Sequence, residues 1–181
     1  ASVTGWLDLH GNEARLSGLV GQISGAGLSG RFTGSLINLM HVPRLTWDLN
    51  LDVAELGRLI EYYGGPGDYH EPAQVRLQVR PSDKRALPLT VHGELLTDAL
   101  AAELTGEFES FDGQSGFSAS FALTAEDSHE LRQITGVGLP PMGRLQVTGE
   151  VRHATDTHES ITGSVNLESE KLGQFSAKGV L

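Results

Sequence analysis

Apolar and polar residues alternate without a break along the segment Arg44–Val53, RLTWDLNLDV. The apolar parity consists of Leu45, Trp47, Leu49, Leu51 and Val53. Because a β-strand sends successive side chains to opposite faces, this segment predicts a strand with one apolar and one polar face. Similar runs recur along the chain, and turn-rich stretches separate them. Since short connections favour antiparallel neighbours, we expect a mainly β chain arranged as a meander.

Glycines on the apolar parity suggest how such a sheet is shaped. They are Gly30, Gly34, Gly93, Gly106, Gly149, Gly163 and Gly179. Glycine removes side-chain volume from the apolar face and eases bending. About a dozen strands would span roughly 50 Å, which two helices of about 15 Å cannot cover. We therefore predict an elongated, curved antiparallel sheet that forms a U-shaped apolar groove, with closure into a barrel or a sandwich as the alternative.

Two segments change from strand to helical periodicity. The predicted capping residues are Asp52 with Glu55 in the first segment, and Thr124 with Asp127 in the second. The helical stripes are Leu56, Leu59, Ile60 and Tyr63, and then Leu131 and Ile134. Gly64 and Gly136 are the predicted C-terminal stops. Helices this short depend on packing against the sheet.

The two helical segments also reveal an internal repeat. Residues 51–64 correspond to residues 123–136, which lie 72 positions further on. The tetrapeptide RLQV occurs at Arg76 and again at Arg144, 68 positions apart, and LSGRF at Leu28 resembles LTGEF at Leu104, 76 positions apart. Repetition at a fixed period is typical of elongated assemblies. We expect a period of about 70 residues, with approximate units 28–103 and 104–181, in a single fragment of a longer protein.

Composition argues against several classes of protein. The chain has 181 residues, no cysteine and a net charge of -10, from 13 Lys+Arg against 23 Asp+Glu. The acidic balance disfavours nucleic acid and anionic membrane surfaces as partners. No apolar run approaches the roughly 20 residues of a membrane helix, and there is no basic-plus-apolar leader. We therefore expect any membrane anchor to lie in regions outside this fragment.

No constellation in the sequence predicts chemistry. The stretch HATDTHE contains His153, Asp156, His158 and Glu159, but its spacing fits no standard zinc or calcium site. GAGLSG matches a G-x-G-x-x-G pattern yet runs into another strand, and Ser115 lacks a nucleophile-elbow context. We expect no enzyme, no metal and no cofactor. In the aromatic loop EYYGGPGDYH we favour a helix end packed by Tyr63 over a partner contact.

Two stretches resemble the AsmA-like superfamily of Gram-negative bacteria, which includes AsmA and TamB and is related to bridge-like lipid-transfer proteins. They are LTWDLNLDVAELGRLIEYYG and HELRQITGVGLPPMGRLQVTGEV. In the second, Leu139-Pro140, Gly143 and Val147-Thr148-Gly149 match the family pattern, whereas the first copy has Pro66 and Pro72 in its loop and lacks the strand glycine. The resemblance implies U-shaped sheets in periplasmic proteins that are anchored to the inner membrane and linked to phospholipid traffic or outer-membrane assembly.

The apolar face is the candidate functional site. Its candidate lipid-contact residues are Trp47, Leu49, Leu51, Leu77, Val79, Phe117, Phe121, Leu145 and Val147. The leading hypothesis is a non-catalytic groove that shields or conducts phospholipid acyl chains between inner and outer membranes. One alternative is a chaperone-like scaffold that pairs its sheet edge with outer-membrane proteins. Another is a plain structural spacer with a closed core.

Overall fold

The described residues fold as one open antiparallel sheet whose eleven strands follow each other in chain order. The structure is a computed structural model that describes residues 2–10, 13–25, 27–37, 44–62, 64–82, 89–109, 116–154 and 160–180. The predicted mainly β meander with two short helices is confirmed. The alternative of closure into a barrel is wrong, because the sheet stays open.

In chain order, one helix follows the fourth strand and the other follows the eighth. In the N-terminal part they are β1 (Ser2–His10), β2 (Glu13–Gly25) and β3 (Leu28–Ile37). The middle part consists of β4 (Arg44–Val53), α1 (Leu56–Tyr62), β5 (Ala73–Pro81), β6 (Leu89–Leu96) and β7 (Leu100–Phe108). The C-terminal part consists of β8 (Phe117–Ala125), α2 (Ser128–Thr135), β9 (Leu145–Ala154), β10 (Ser160–Ser169) and β11 (Gly173–Val180).

The strand register sorts apolar and polar residues onto opposite faces of the sheet. Trp47 lies between Gly34 and Val79, and Leu49 lies between Phe32 and Leu77. We call this apolar side the inner face. The other parity forms a polar outer face, where the Arg80 guanidinium donates to Asp48 Oδ1 at 2.5 Å and ties β5 to β4. The alternation predicted for residues 44–53 is therefore confirmed.

The helices begin later than the capping prediction placed them. Asp52 and Thr124 belong to strands, where Asp52 pairs with Ser29 and Thr124 pairs with Gln146. The N-cap of α2 is Asp127 alone, whose carboxylate accepts the His129 N–H at 3.0 Å. That bond and one from the Ser128 hydroxyl lower the pKa of Asp127. Both ladders continue to the end of their strands, which excludes Asp52 and Thr124 as caps.

The predicted helix stops are confirmed. Gly64 and Gly136 have φ of 85° and 71°, in the left-handed region that glycine adopts without strain. The Gly136 N–H donates to the Arg132 carbonyl at 2.8 Å. Leu131 is buried and Ile134 is half-buried, as the helical stripe predicts. Tyr63 lies outside the described residues.

The pairing register shows a structural repeat at 72 positions. Trp47 pairs with Val79, and 72 positions further on Ala119 pairs with Val151. In the same way, the pair of Leu28 and Val53 recurs as Leu100 and Ala125. The RLQV match at 68 positions and the LSGRF match at 76 positions do not join equivalent residues. A unit boundary between residues 103 and 104 falls inside β7.

The helices and the loops that follow them, residues 64–72 and 136–144, pack on one end of the inner face, and we call them the helix layer. One buried cluster joins Leu131 and Met142 to Leu100, Ala125 and Leu145 of the sheet. A second joins Leu56 and Tyr69 to Val53 and Ala73. Leu95 and Ile134 pack against both clusters, so the two helices share one continuous core.

A hydroxyl-bearing residue anchors each loop of the helix layer. The Tyr69 hydroxyl lies 2.7 Å from Thr97 Oγ1, and it donates to Glu71 Oε2 at 3.0 Å. Seventy-two positions after Thr97, the Ser169 hydroxyl donates to the Met142 carbonyl at 2.8 Å. The Thr97 hydroxyl oxygen also accepts the Leu100 N–H, and the Ser169 hydroxyl oxygen accepts the Leu172 N–H. Tyr69, which is 0% exposed, is thus the core aromatic of the loop EYYGGPGDYH.

Because Tyr69 is buried, its ionisation at alkaline pH destabilises this end of the sheet. Burial, together with the Glu71 carboxylate, raises the pKa of Tyr69 from 10.0 to about 12. The fold therefore favours the neutral phenol. This contribution to the free energy of unfolding is complete below pH 10 and disappears as the pH rises to 12.

We expect Tyr69→Phe to lower the free energy of unfolding by about 1 kcal/mol at pH 8, because the neutral phenol makes a hydrogen bond that phenylalanine cannot make. Urea unfolding at pH 8 to 12 measures the difference between wild type and variant. The difference should shrink, and can reverse, above pH 10, since phenylalanine cannot ionise. A difference that stays constant over this range would contradict the assignment.

Candidate apolar binding face

Five rows of residues run across the strands on the inner face. They are named A to E, starting from the end under the helix layer. Row A is Leu28, Val53, Ala73, Leu100, Ala125, Leu145 and Ser169. Row B is Gly30, Leu51, Val75, Leu95, Ala102, Leu123, Val147, Leu167 and Phe175. Row C is Phe32, Leu49, Leu77, Gly93, Leu104, Phe121, Gly149, Val165 and Ala177.

Rows D and E continue the face away from the helices. Row D is Gly34, Trp47, Val79, Val91, Gly106, Ala119, Val151, Gly163 and Gly179. Row E includes Leu36, Leu45, Leu89, Phe108, Phe117, His153 and Ile161. All rows are predominantly apolar, apart from glycines and a few polar members such as His153.

The helix layer covers only rows A and B. Every sheet residue in the two helix clusters belongs to these rows. A third cluster, with Val79, Leu89 and Val91 at its centre, lies in rows D and E, and the residues packed against it belong to strands. Among the described residues, rows C to E therefore have no helix above them.

The nine predicted groove residues divide according to this cover. Leu145 is 1% exposed beneath α2, and Val79 is 0% exposed within the third cluster. These two side chains are core and offer no apolar surface to a ligand. Leu51 and Val147 are row B residues that pack against the helix clusters. The half-buried residues beyond the helix layer are Trp47, Leu49, Leu77, Phe117 and Phe121.

The most accessible large apolar residues of the five rows were not among the predicted nine. Leu104 is 39% exposed, Val165 is 40% exposed and Phe175 is 54% exposed. They lie on β7, β10 and β11, in rows B and C. Their parity in the sequence marked them as inward-facing. Only the position of the two helices shows that they stay uncovered, and that information is tertiary.

Several inward glycines lie beneath the side chains of neighbouring strands rather than beneath empty space. Phe32 lies over Gly21, and Phe121 lies over Gly149, so a β-carbon at either glycine would collide with the ring. At Gly34 a β-carbon would lie 3.5 Å from Trp47 Cδ1. Phe32 and Trp47 also meet edge to face, with ring centroids 6.3 Å apart. The side-chain volume that glycine leaves free at position 149 is therefore filled by Phe121.

This arrangement produces a shallow apolar surface, which we call the apolar floor. Large side chains lie over glycines of the neighbouring strands, and Phe117 stacks on Phe108 in row E with ring centroids 5.9 Å apart. Such a surface has few directional polar groups, so it suits an apolar chain better than a polar molecule.

The residues considered for chemistry are dispersed. Gly25 and Gly27 form the hairpin between β2 and β3, which confirms that GAGLSG does not open a helix. His153 lies in β9, whereas Asp156, His158, Glu159 and Ser115 fall outside the described residues. Within the described ranges, no three His, Asp or Glu residues are grouped so that they could hold a metal ion.

Comparisons with protein-family models, curated proteins and solved structures give no match for this chain. The resemblance to the AsmA-like superfamily therefore remains a prediction from the quoted residues. In the described part of the chain, neither helix is long and apolar enough to cross a membrane.

The close contact between Phe121 and Gly149 predicts the effect of a small substitution. In Gly149→Ala the new methyl would strike the Phe121 ring and lie 2.8 Å from the Ser164 carbonyl oxygen. We expect a loss of about 1–3 kcal/mol in the free energy of unfolding, as is usual for overpacking. Urea unfolding measures it.

Gly179→Ala is the matched control, since no atom lies within 4 Å of a β-carbon at Gly179. It should change stability by no more than about 0.5 kcal/mol. Equal effects of the two substitutions on the free energy of unfolding would show that Phe121 does not pack against Gly149 as described.

Proposed function

We propose that this chain is a non-catalytic segment of an apolar groove that shields or conducts phospholipid acyl chains. The observation that supports this is the limited reach of the helix layer, which leaves rows C to E without a helix among the described residues. A contiguous exposed apolar patch on a protein generally marks an interaction site. The exposure of Leu104, Val165 and Phe175 places accessible apolar surface on three strands of the C-terminal half.

The driving force would be hydrophobic burial alone. Each methylene group removed from water contributes about 0.8 kcal/mol, so a stretch of ten methylenes accounts for roughly 8 kcal/mol before the cost of ordering the chain. No side chain has to donate, accept or exchange a proton. The mechanism thus requires only a continuous apolar track.

The row pattern suits movement along the sheet. Rows B, C and D each cross nine strands with residues of similar polarity. An acyl chain lying across the strands would meet nearly equivalent contacts at successive positions. Binding then has no single preferred register, and barriers to sliding stay small.

The cellular setting follows from the sequence resemblance. We place the protein in the periplasm, as part of a protein anchored in the inner membrane, where the groove would carry phospholipid between the inner and outer membranes. A scaffold that pairs its sheet edge with outer-membrane proteins is the second candidate. It is favoured by β11, whose eight residues are all exposed.

Photo-crosslinking tests the groove with matched positions on the two faces. A benzophenone amino acid replaces Leu104 or Phe121 on the inner face, and Thr105 or Ser120 on the outer face. Each pair is adjacent in one strand, so the two positions share their depth in the sheet. After irradiation of cells or of vesicles with the purified chain, mass spectrometry identifies phospholipid adducts.

We expect adducts at positions 104 and 121, with yields at least about tenfold above those at 105 and 120, because row C is apolar whereas the outer-face neighbours of positions 105 and 120 are predominantly polar. Equal yields on both faces, or no lipid adduct at any position, would contradict the proposal. Circular dichroism of each variant checks that the sheet is retained.

A further inference from the structure

The two structural repeats bury one equivalent pair of valines to different degrees. The first repeat consists of β4, α1 and β5 to β7, and the second consists of β8, α2 and β9 to β11. Val79 of β5 and Val151 of β9 lie 72 positions apart in row D. Val79 is 0% exposed, whereas Val151 is half-buried. Since β5 and β9 are each paired on both sides, the difference does not arise at an edge of the sheet.

Trp47 supplies the cover in the first repeat. It lies directly opposite Val79, and Val91 lies opposite Val79 on the other side. The indole packs against the buried cluster that these two valines form with Leu89. Phe32 contacts the indole edge to face, with ring centroids 6.3 Å apart. Because directly opposite side chains have β-carbons about 5 Å apart, a side chain as large as tryptophan covers its neighbour.

The second repeat lacks this cover. The two neighbours of Val151 are Ala119 and Gly163, which lie 72 positions after Trp47 and Val91. A methyl group and a hydrogen atom thus replace an indole and an isopropyl group. These smaller neighbours leave part of the valine accessible in row D of the second repeat.

We propose that Trp47 blocks row D of the first repeat, so that an acyl chain lying in row D contacts Val151 and not Val79. This inference rests on the proposed function, because it assigns positions within the same groove. Row C has no such block, since Leu49 and Leu77 in the first repeat and Phe121 in the second are all half-buried. Row C therefore carries movement along the whole sheet, whereas row D ends at Trp47.

Thiol labelling measures the cover directly, because the chain has no cysteine of its own. Val79→Cys and Val151→Cys chains are treated with N-ethylmaleimide in the native state, without lipid. We expect the cysteine at position 151 to react at least about tenfold faster, since burial in apolar surroundings makes a thiol unreactive. Trp47→Ala should raise the rate at position 79 about tenfold.

The reciprocal variants should close the second repeat. Ala119→Trp in the Val151→Cys chain is expected to lower the labelling rate about tenfold, because it places an indole opposite the thiol. Gly163→Val closes the same position from the other side. A β-carbon at Gly163 would lie 3.4 Å from the Glu150 carbonyl oxygen, which is an ordinary contact. Circular dichroism selects the variants that retain the sheet, and either closing variant suffices.

Phosphatidylcholine vesicles then show whether an acyl chain occupies the uncovered position. We expect vesicles to slow labelling at position 151 about fivefold, because a bound acyl chain surrounds the thiol with hydrocarbon. They should leave the rate at position 79 unchanged. In the Trp47→Ala chain, protection by vesicles should also appear at position 79.

The two stages separate failure of this inference from failure of the proposed function. Equal labelling rates at positions 79 and 151 without lipid, or a rate at 79 that Trp47→Ala does not change, would overturn the inference alone. So would vesicles that protect neither cysteine while phospholipid copurifies with the chain. If vesicles protect neither cysteine and no phospholipid binds the chain, the proposed function fails and this inference fails with it.

Discussion

The two short helices form a single layer, and their size limits how much of the sheet the helix layer can cover. Inner-face rows are two residues apart along each strand, or about 6.6 Å. α1 and α2 have seven and eight residues, so each is about 10–12 Å long and about 10 Å wide. In any orientation, one layer of such helices spans about two rows. That is the extent of the two helix clusters, and it explains why rows C to E depend on other contacts.

Over rows C to E, contacts between neighbouring strands bury side chains that no helix covers. Phe32, Trp47 and Phe121 lie over cross-strand glycines, and Val79 reaches 0% exposure through neighbours on strands. Burial decreases toward the C-terminal strands, where Leu104, Val165 and Phe175 remain accessible. The same constraint thus links the stability of the helix-covered end to the availability of apolar surface beyond it. A groove for acyl chains uses surface that the helices are too short to cover.

Much of the fold is predictable from the sequence because it is set by local periodicity. Alternation at Leu45 to Val53 determines the faces of β4, and glycine determines the ends of both helices. The prediction that Asp52 caps α1 was wrong, because strand pairing of Asp52 with Ser29 and Gln74 outweighs a local capping motif. The burial of Tyr69 depends on Thr97, 28 positions away, and no local pattern contains that contact.

The sequence predicts which residues of the site face inward, but it does not predict which of them stay accessible. Leu145 and Leu104 both face inward, yet only the position of α2 makes the first a core residue and the second an exposed one. The RLQV and LSGRF matches misled for a similar reason, since strand register, not sequence identity, defines equivalent positions. Short sequence matches report composition, whereas pairing reports geometry.

The most direct test of the central claim is the phospholipid content of the purified chain, measured by solvent extraction and native mass spectrometry. The account predicts bound phospholipid in the wild type and its loss in Leu104→Glu/Val165→Glu, which places two charges on the uncovered inner face. Thr105→Glu/Ser164→Glu, with the charges on the outer face of the same strands, should retain the lipid. A wild-type chain that neither copurifies with phospholipid nor takes it up from vesicles would contradict the account.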